Sequence, residues 1–280
     1  MKLHLKGEDL ELYSPRIMGS LVVHPQDIGS VDDFVRKAKE MQEDGADLIE
    51  IGLQVEEGFP EENDELAKLI PIVKAVAQNT SLYVAITTKY PSVMKSAVGA
   101  GASLIIDPDA LKAEGALDTV AMLKVPVCLV FDHNIDFDKE GSLDPMGDIS
   151  AYLYERIDAC LNAGIDRRNL LIDPSLSQSA PIESKLKLIG RLETLKSFAL
   201  PMTMAMPRSI PHADNYLNEH FSAAVAACLF CVNSGVKIIR TERVEEMALA
   251  LDTWQAVNKS ARPFKLTRAI ASRFKRKHAN

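Results

Sequence analysis

The chain has 280 residues, of which 47% are hydrophobic and 25% charged, and its formal net charge is −7. This composition is typical of a globular protein with a large core, and the acidic charge disfavours nucleic acid as a partner. No segment reaches the roughly 18 consecutive apolar residues of a membrane span, and the N-terminal residues lack the apolar run of a signal peptide, so we expect a cytoplasmic protein.

Short aliphatic segments alternate with longer helical patterns along the whole chain. We predict strands, in chain order, at residues 17–23, 48–51, 82–86, 104–106, 127–131, 170–172, 202–206 and 237–240. We predict helices at residues 30–44, 65–78, 91–101, 117–123, 149–163, 182–198, 218–234 and 244–257. Ser30 is the expected N-cap of the first helix, with Asp32 and Asp33 in its first turn, where the helix dipole favours acids.

Eight strand-then-helix units predict an α/β fold, a (β/α)8 TIM barrel that forms a single domain. An open doubly wound sheet is the alternative fold. The absence of a Gly-x-Gly-x-x-Gly turn after the first strand favours the barrel. We expect residues 1–14 to form an N-terminal lead-in, residues 15–258 the barrel, and residues 259–280 a basic tail.

The basic tail holds seven Lys or Arg and no acidic residue from Arg262 onward. A solvated segment or a last amphipathic helix is the favoured interpretation, and a partner-binding or membrane-surface patch is the alternative. The four cysteines all lie within apolar stretches: Cys128, Cys160, Cys228 and Cys231. We expect the C-x-x-C pair to occupy a buried helix face, because no second ligand pair follows at zinc spacing.

The active site of such a barrel lies at the carboxyl ends of its strands. Asp173 and Arg240 fall near the ends of two strands that we expect to be buried on both faces. They either grip a planar heteroaromatic ring or form an internal ion pair between neighbouring strands, and the sequence leaves both alternatives open. The loop pairs His24 with Asp27 and Asp132 with His133 suggest acid–base chemistry or a metal, although such residues are more often simply solvated.

Several segments at matching intervals resemble one family. They are Pro15 to Pro25, Asp47 to Gly52, Gly101 to Asp107, Asn169 to Pro174, Leu200 to Arg208 and Ile238 to Arg240. Together they resemble the dihydropteroate synthase family, the pterin-binding barrels of folate biosynthesis. The resemblance runs from about Pro15 to Val257.

The resemblance implies a transferase that joins p-aminobenzoate to a pterin carrying a pyrophosphate leaving group. It implies a pterin-like small molecule as ligand, magnesium as a cofactor where pyrophosphate chemistry is retained, and a homodimer formed through the last helices. The implied substrate-binding residues are Asp173, Arg240, Arg208, Thr87, Glu50 and Ser209. The sequence assigns no catalytic residue and no metal ligand.

The chain departs from the family pattern at most site positions. Val22 stands in place of the first-loop Asn, Thr87 in place of the third-strand Asp, and Ile106 in place of the fourth-strand Asn. Ser209 replaces the Lys of the seventh-strand loop, Glu242 replaces the eighth-strand His, and Glu50 replaces the second-strand Asp. Asp173 and Arg240 keep the family identity, and losing one group that stabilises developing charge commonly costs about 10²–10³ in rate.

Four functions follow from these observations. The favoured one is a pterin-binding protein related to folate biosynthesis that lacks the standard condensation. The others are an active synthase with a rearranged site, and a non-catalytic partner subunit that uses helix 244–257 as its interface. The fourth is a different enzyme, in which Glu50, Glu242, Asp173 and Asp107 converge as an acidic cluster that binds a divalent cation.

Overall fold

The computed structural model describes residues 1–26, 30–55, 58–131, 145–176, 180–205 and 221–259. The strands are β1 (Lys2–Leu5), β2 (Glu8–Glu11), β3 (Arg16–Val23), β4 (Leu48–Leu53), β5 (Tyr83–Thr87), β6 (Leu104–Asp107), β7 (Val127–Val130), β8 (Leu170–Asp173), β9 (Met202–Ala205) and β10 (Val236–Thr241). The α-helices are α1 (Val31–Glu43), α2 (Glu62–Asn79), α3 (Pro91–Ala100), α4 (Ala116–Leu123), α5 (Pro145–Asn162), α6 (Ile182–Arg191), α7 (Phe221–Asn233) and α8 (Val244–Asn258).

Strands β3 to β10 form a closed barrel of parallel strands, because β10 pairs with both β9 and β3. A helix follows each of these strands along the chain. The predicted TIM barrel is therefore confirmed, and the open-sheet alternative is wrong. Every carboxyl end of a barrel strand lies at one mouth, so the side chains that follow from different strands meet there.

Local signals set several of the helix ends. The side chain of Ser30 accepts a hydrogen bond from the backbone of Asp33, and the Asp33 side chain accepts one from the Ser30 backbone in return. This reciprocal capping confirms the predicted start of α1. Helix α3 begins at Pro91 and ends at Ala100, and its C-cap is Gly101, whose φ of 116° is the left-handed conformation that favours glycine.

The single helix predicted over 182–198 is wrong. Helix α6 ends at Arg191, and residues Leu192–Phe198 form a 3-10 helix instead. Leu192 and Leu195 are both fully buried. Their spacing of three residues matches the 3.0 residues per turn of a 3-10 helix, so the tighter turn places both leucines against the core.

The predicted lead-in contains an antiparallel hairpin, β1 and β2, which the sequence analysis did not anticipate. Its turn is formed by Lys6 and Gly7, whose φ angles of 50° and 82° are both positive, as a tight two-residue hairpin turn requires. The leucines on one face of the hairpin pack with residues of the barrel interior such as Leu48 and Ile238. The hairpin therefore closes the amino-terminal end of the barrel.

The cysteines are buried and unpaired, as the sequence indicated. Cys228 and Cys231 lie on α7 and contribute to the apolar layer between the barrel and its helices. Within the described ranges, no helix combines the length and apolar character needed to cross a membrane. The predicted basic tail lies outside the described residues after Lys259.

Candidate functional site

The interior of the barrel changes from apolar to polar toward its mouth. The lower interior is a buried cluster that includes Met18, Leu48, Leu104 and Leu171. Two residues further along three of these strands stand the polar side chains of Ser20, Glu50 and Asp173. Because side chains alternate along a strand, these residues face the same side as the apolar ones below them. The mouth is therefore the part of the interior in which polar chemistry is possible.

Arg240 bridges two carboxylates at the centre of this mouth. Its Nη1 lies 2.8 Å from Glu50 Oε1, and its Nη2 lies 2.7 Å from Asp173 Oδ2. Only 12% of the Arg240 side chain is exposed. Burial by itself disfavours the charged guanidinium, but Glu50 and Asp173 outweigh it and raise the pKa of Arg240 above its ordinary value. The guanidinium is therefore a fixed positive charge shared between two carboxylates.

The carboxylate of Asp173 is fully buried and accepts hydrogen bonds from three donors in the described part of the chain. Its Oδ2 accepts from Thr203 Oγ1 at 2.8 Å as well as from Arg240, and its Oδ1 accepts from the backbone N–H of Ser175 at 2.9 Å. A carboxylate oxygen accepts about two hydrogen bonds, so Oδ1 retains the capacity for one more. Asp173 is thus held in one orientation, and its contacts with the described residues leave one accepting position.

Glu50 is anchored by three different strands. Its Oε1 accepts from Thr87 Oγ1 at 2.7 Å and from Arg240, and its Oε2 accepts from Ser20 Oγ at 3.1 Å. Gly52 makes room for this arrangement, because an added Cβ there would lie 3.2 Å from Thr87 Cβ. Glu50 therefore presents its carboxylate to the mouth from a fixed position on β4.

The opposite side of the mouth is apolar. Ile106 lies on β6, Cys128 and Val130 lie on the neighbouring strand β7, and at most 7% of each residue is exposed. Burial raises the pKa of the Cys128 thiol far above its ordinary value, so this sulfur stays protonated at neutral pH. The interior at this end of the barrel is therefore polar on one side and apolar on the other.

Comparison with known proteins places the chain in a family. The family model described as pterin binding enzyme matches residues 20–242. The chain belongs to this family. The dihydropteroate synthase of Escherichia coli (strain K12) is 30% identical over 272 residues, which cover 91% of this chain and 96% of that protein.

Solved structures give the same result for the fold. The Xanthomonas albilineans dihydropteroate synthase in complex with indole-2-carboxylic acid and 6-chloroguanine superimposes with a TM-score of 0.84 at 32% identity, covering 92% of this chain and 98% of that chain. The same enzyme in complex with 7,8-dihydropteroate gives a TM-score of 0.80 at 33% identity, again covering 92% and 98% of the two chains.

Four of the six predicted substrate-binding residues of this pterin-binding barrel come together: Glu50, Thr87, Asp173 and Arg240. Arg208 and Ser209 lie outside the described residues, as do Asp27, Asp132 and His133. Asp173 and Arg240 do form an ion pair, but not between neighbouring strands. Strand β9 separates β8 from β10, and its Thr203 bonds to Asp173.

The predicted acidic cluster is wrong. Asp107 turns away from Arg240 and binds its own loop, accepting hydrogen bonds from the backbone N–H groups of Asp109 at 2.7 Å and Leu111 at 3.1 Å. Of the other three acids, Glu50 and Asp173 share the Arg240 cation, and Glu242 is exposed after β10. No group of three or more candidate metal ligands occurs in the part of the chain that the structure describes.

Magnesium, which the resemblance implies for pyrophosphate chemistry, does not fit the described donors. Val22 has no ligating atom, and the carboxylates of Glu50 and Asp173 are held by a guanidinium that repels a second cation. Ile106 likewise offers only carbon atoms to a ligand. The described mouth therefore offers no set of side chains suited to a metal complex.

Glu65 and Asp107 are a second pair of buried acids and lie beside the mouth. The sequence analysis assigned no function to Glu65. Thr88 donates a hydrogen bond to Glu65, and burial raises the pKa of Glu65 to about 7. Burial also raises the pKa of Asp107 to about 7. Ser20 and Thr203 were missed as well, although Ser20 lies two residues after the interior residue Met18, which was a usable signal.

Proposed function

We propose that the chain binds a pterin-like heteroaromatic ring at the mouth of the barrel, in a role related to folate biosynthesis. We also propose that it does not catalyse the standard condensation of a pterin pyrophosphate with p-aminobenzoate at a useful rate. The observation that carries both statements is the Arg240 guanidinium held between Glu50 and Asp173.

The arrangement supports ring binding. A pterin has N–H groups on one edge that donate hydrogen bonds, and a rigid carboxylate such as Asp173 accepts them without losing conformational entropy. The buried residues Ile106 and Val130 make the surroundings of this site apolar on one side, which favours a flat ring. No reaction is needed for these contacts to form.

The same arrangement disfavours the condensation. A departing pyrophosphate carries several negative charges, and its release requires cationic groups or a metal ion that stabilise the developing charge. The positive charge of Arg240 is already offset by two carboxylates. Glu242, which is exposed after β10, adds a further negative charge near this end of the barrel. Magnesium is accordingly not expected to be required for ring binding.

The test is a calorimetric titration with 6-hydroxymethyl-7,8-dihydropterin pyrophosphate, with and without magnesium, followed by addition of p-aminobenzoate and an assay for dihydropteroate. We expect binding of the pterin ring and no product. The variant Asp173→Asn should weaken binding about tenfold or more, because it replaces a charged acceptor by an amide of the same size.

The matched control is Asp9→Asn, an acid-to-amide change in the hairpin at the opposite end of the barrel, which should leave the affinity unchanged. Thermal unfolding of both variants shows whether each is folded. Absence of pterin binding by the folded wild-type chain would overturn the proposal.

The second candidate function is an active synthase with a rearranged site. The 30% identity to the Escherichia coli enzyme across 91% of this chain favours it. Formation of dihydropteroate in the same assay, at a rate comparable to that of a bacterial synthase measured in parallel, would establish this alternative.

We further propose that the protein is a cytoplasmic homodimer. Helices α7 and α8 expose large apolar side chains, Phe230, Leu249 and Val257, with 50%, 40% and 65% of each residue exposed. Exposed apolar residues on adjacent helices are a feature of association surfaces. A solution mass of one chain at micromolar concentration would contradict the dimer and remove this support for a partner-subunit role.

A further inference from the structure

The C-terminal tail carries a charge opposite to that of the rest of the chain, and the proposed function leaves it without a role. Residues 262–280 contain seven Lys or Arg and no acidic residue. Residues 1–261 therefore hold all 39 acidic residues and 25 of the 32 basic ones, which gives them a formal net charge of −14. Opposite charges that are tethered in one chain meet at a high effective concentration, so the body of the protein is the nearest partner for this tail.

The sequence of the tail has the pattern of an amphipathic helix. Leu266, Ile270 and Phe274 recur every fourth residue and fall on one side of an α-helix. Arg273 and Lys277, three residues after Ile270 and Phe274, fall at the edge of the same side. The opposite side carries further basic residues, which are Lys265, Arg268, Lys275 and Arg276. Such a helix matches a surface that is apolar at its centre and acidic at its border.

The tail begins at the amino-terminal end of the barrel. Helix α8 follows β10 and ends at Asn258, and a helix that follows a barrel strand runs back toward the amino-terminal end of the strands. The β1–β2 hairpin covers this end. Helices α1 and α8 both pack against β3, so their C-terminal ends lie on either side of this strand. The hairpin and the end of α1 are therefore the first surfaces that the tail can reach.

The outer side of the hairpin is apolar and has acidic neighbours. Met1 and Tyr13 are exposed, and they lie close together because the backbone N–H of Leu12 donates a hydrogen bond to the Met1 carbonyl at 2.9 Å. Glu11 Oε2 is buried and has no hydrogen-bond partner among the described residues. Glu43 is exposed at the end of α1, whose last turn contains no basic residue. We call Met1, Glu11, Tyr13 and Glu43 the hairpin surface.

We propose that residues 263–278 form an amphipathic helix that docks on the hairpin surface of the same chain. Its apolar side covers Met1 and Tyr13, and the Arg273 guanidinium donates a hydrogen bond to Glu11 Oε2. The length of the tail permits this contact. Residues 260–262 span up to about 10 Å when extended, and a 16-residue helix is about 24 Å long, whereas a four-residue strand of the hairpin is about 13 Å long. The docked tail holds the hairpin on the barrel, and this role is independent of any ligand at the mouth.

Hydrogen exchange of the full-length chain at low ionic strength, followed by mass spectrometry, tests the proposal. Amides of residues 264–274 should exchange at least about tenfold more slowly in wild type than in Tyr13→Asp, which places a charge on the hairpin surface. Ile270→Asp should remove the same protection from the other side of the contact. Ser272→Asp adds the same charge to the side of the helix opposite Ile270, and this matched control should stay within about twofold of wild type. The protection should also fall as NaCl is raised from about 0.05 to 0.5 M, because the contact is partly electrostatic.

The same measurement separates the other partners that a basic amphipathic segment can have. Protection that grows with protein concentration would assign the tail to a second copy of the chain and overturn docking within one chain. Protection that arises only after addition of vesicles of phosphatidylcholine and phosphatidylserine would assign it to an anionic membrane surface and overturn the proposal as well. Fast exchange of the wild-type tail under all conditions, or protection that Tyr13→Asp or Ile270→Asp leaves intact, would contradict it. Equal loss of protection in Ser272→Asp and Ile270→Asp would show that the apolar side does not make the contact.

Discussion

Glu65 is a buried carboxyl group linked to the end of a barrel strand. Only 3% of the residue is exposed, and it accepts a hydrogen bond from the side chain of Thr88, which follows β5. Burial raises its pKa to about 7, and the hydrogen bond from Thr88 partly opposes this shift. The carboxyl group is therefore protonated in the folded protein at pH values where it is ionised in the unfolded chain.

The raised pKa makes stability depend on pH. Between the ordinary pKa of 4.5 and about 7, the folded chain binds more protons at Glu65 than the unfolded chain does. Its contribution to stability is therefore fully present below this window and is lost as pH rises through it. Replacing Glu65 by Gln, which still accepts from Thr88, should raise the free energy of unfolding near pH 8 by about 1–3 kcal/mol.

The measurement is urea denaturation of wild type and Glu65→Gln across this pH range. The two proteins should converge in stability toward low pH and diverge as pH rises. Glu61→Gln, an exposed residue at the start of the same helix, should follow wild type throughout. A variant that is less stable than wild type at high pH would show that Glu65 is stabilising in its ionised form.

Some residues of the site were predictable from the sequence, because in a (β/α)8 barrel the carboxyl ends of all strands meet at one mouth. Asp173, Arg240 and Glu50 stand at the ends of buried strands, and in a barrel those ends share one mouth. The contacts among them were not predictable, because strand order and register decide which side chains meet. Thr203 reaches Asp173 only because β9 lies between β8 and β10.

Elements of the barrel were predictable because each unit carries local signals. Strand β4 is a short aliphatic segment, and α1 begins at the N-cap Ser30. The change from α6 to a 3-10 helix at Leu192 had only a weak signal, because the single nearby breaker, Gly190, is a residue that helices also tolerate. Packing of Leu192 and Leu195 against the core determines that geometry, and packing is a tertiary property.

The end of α3 provides a stability test with an internal control. Gly101 has a φ of 116°, and a Cβ added there would lie 2.7 Å from Ala77 Cβ on α2. Gly101→Ala should therefore lower the free energy of unfolding by about 1–3 kcal/mol. Gly99, two residues earlier, is helical and has open space around its Cα, so Gly99→Ala should raise it by about 0.5–1 kcal/mol.

Chemical denaturation of the two variants checks both signs in one experiment. Opposite signs are expected because the two backbones differ. At Gly101 the added methyl group strains a left-handed backbone and clashes with α2, whereas at Gly99 it is added to an ordinary helical residue. If both substitutions stabilised the protein, the C-terminal turn of α3 would have to differ from the one in the structure.

At the scale of the whole molecule, the β1–β2 hairpin belongs to the barrel domain, because it covers the amino-terminal end of the barrel. The predicted domain boundary at residue 15 excluded this hairpin. Leu3, Leu5, Leu10 and Leu12 are each at most 7% exposed and join the barrel interior. These leucines alternate with polar residues on both sides of Lys6 and Gly7, which is a hairpin signal in the sequence. However, a strand of four residues is too short to be distinguished from a loop by its pattern alone. The role of the hairpin becomes clear only from the closed barrel, whose apolar amino-terminal end it shields from water.

Shortening a buried leucine of the β1–β2 hairpin should destabilise the protein without changing ligand affinity at the mouth of the barrel. Leu5 is fully buried, so Leu5→Ala should lower the free energy of unfolding by about 2–5 kcal/mol through lost burial and the cavity left behind. His4, the residue before Leu5, has an exposed side chain paired with Asp9, and His4→Ala should lower the free energy of unfolding by less than about 1 kcal/mol. Urea denaturation gives both values, and pterin affinity measured well below the unfolding temperature should match wild type in each variant. A loss of pterin affinity in folded Leu5→Ala would mean that the β1–β2 hairpin helps to position Glu50 and Arg240. The two ends of the barrel would then be coupled, and the hairpin would do more than cover the amino-terminal end.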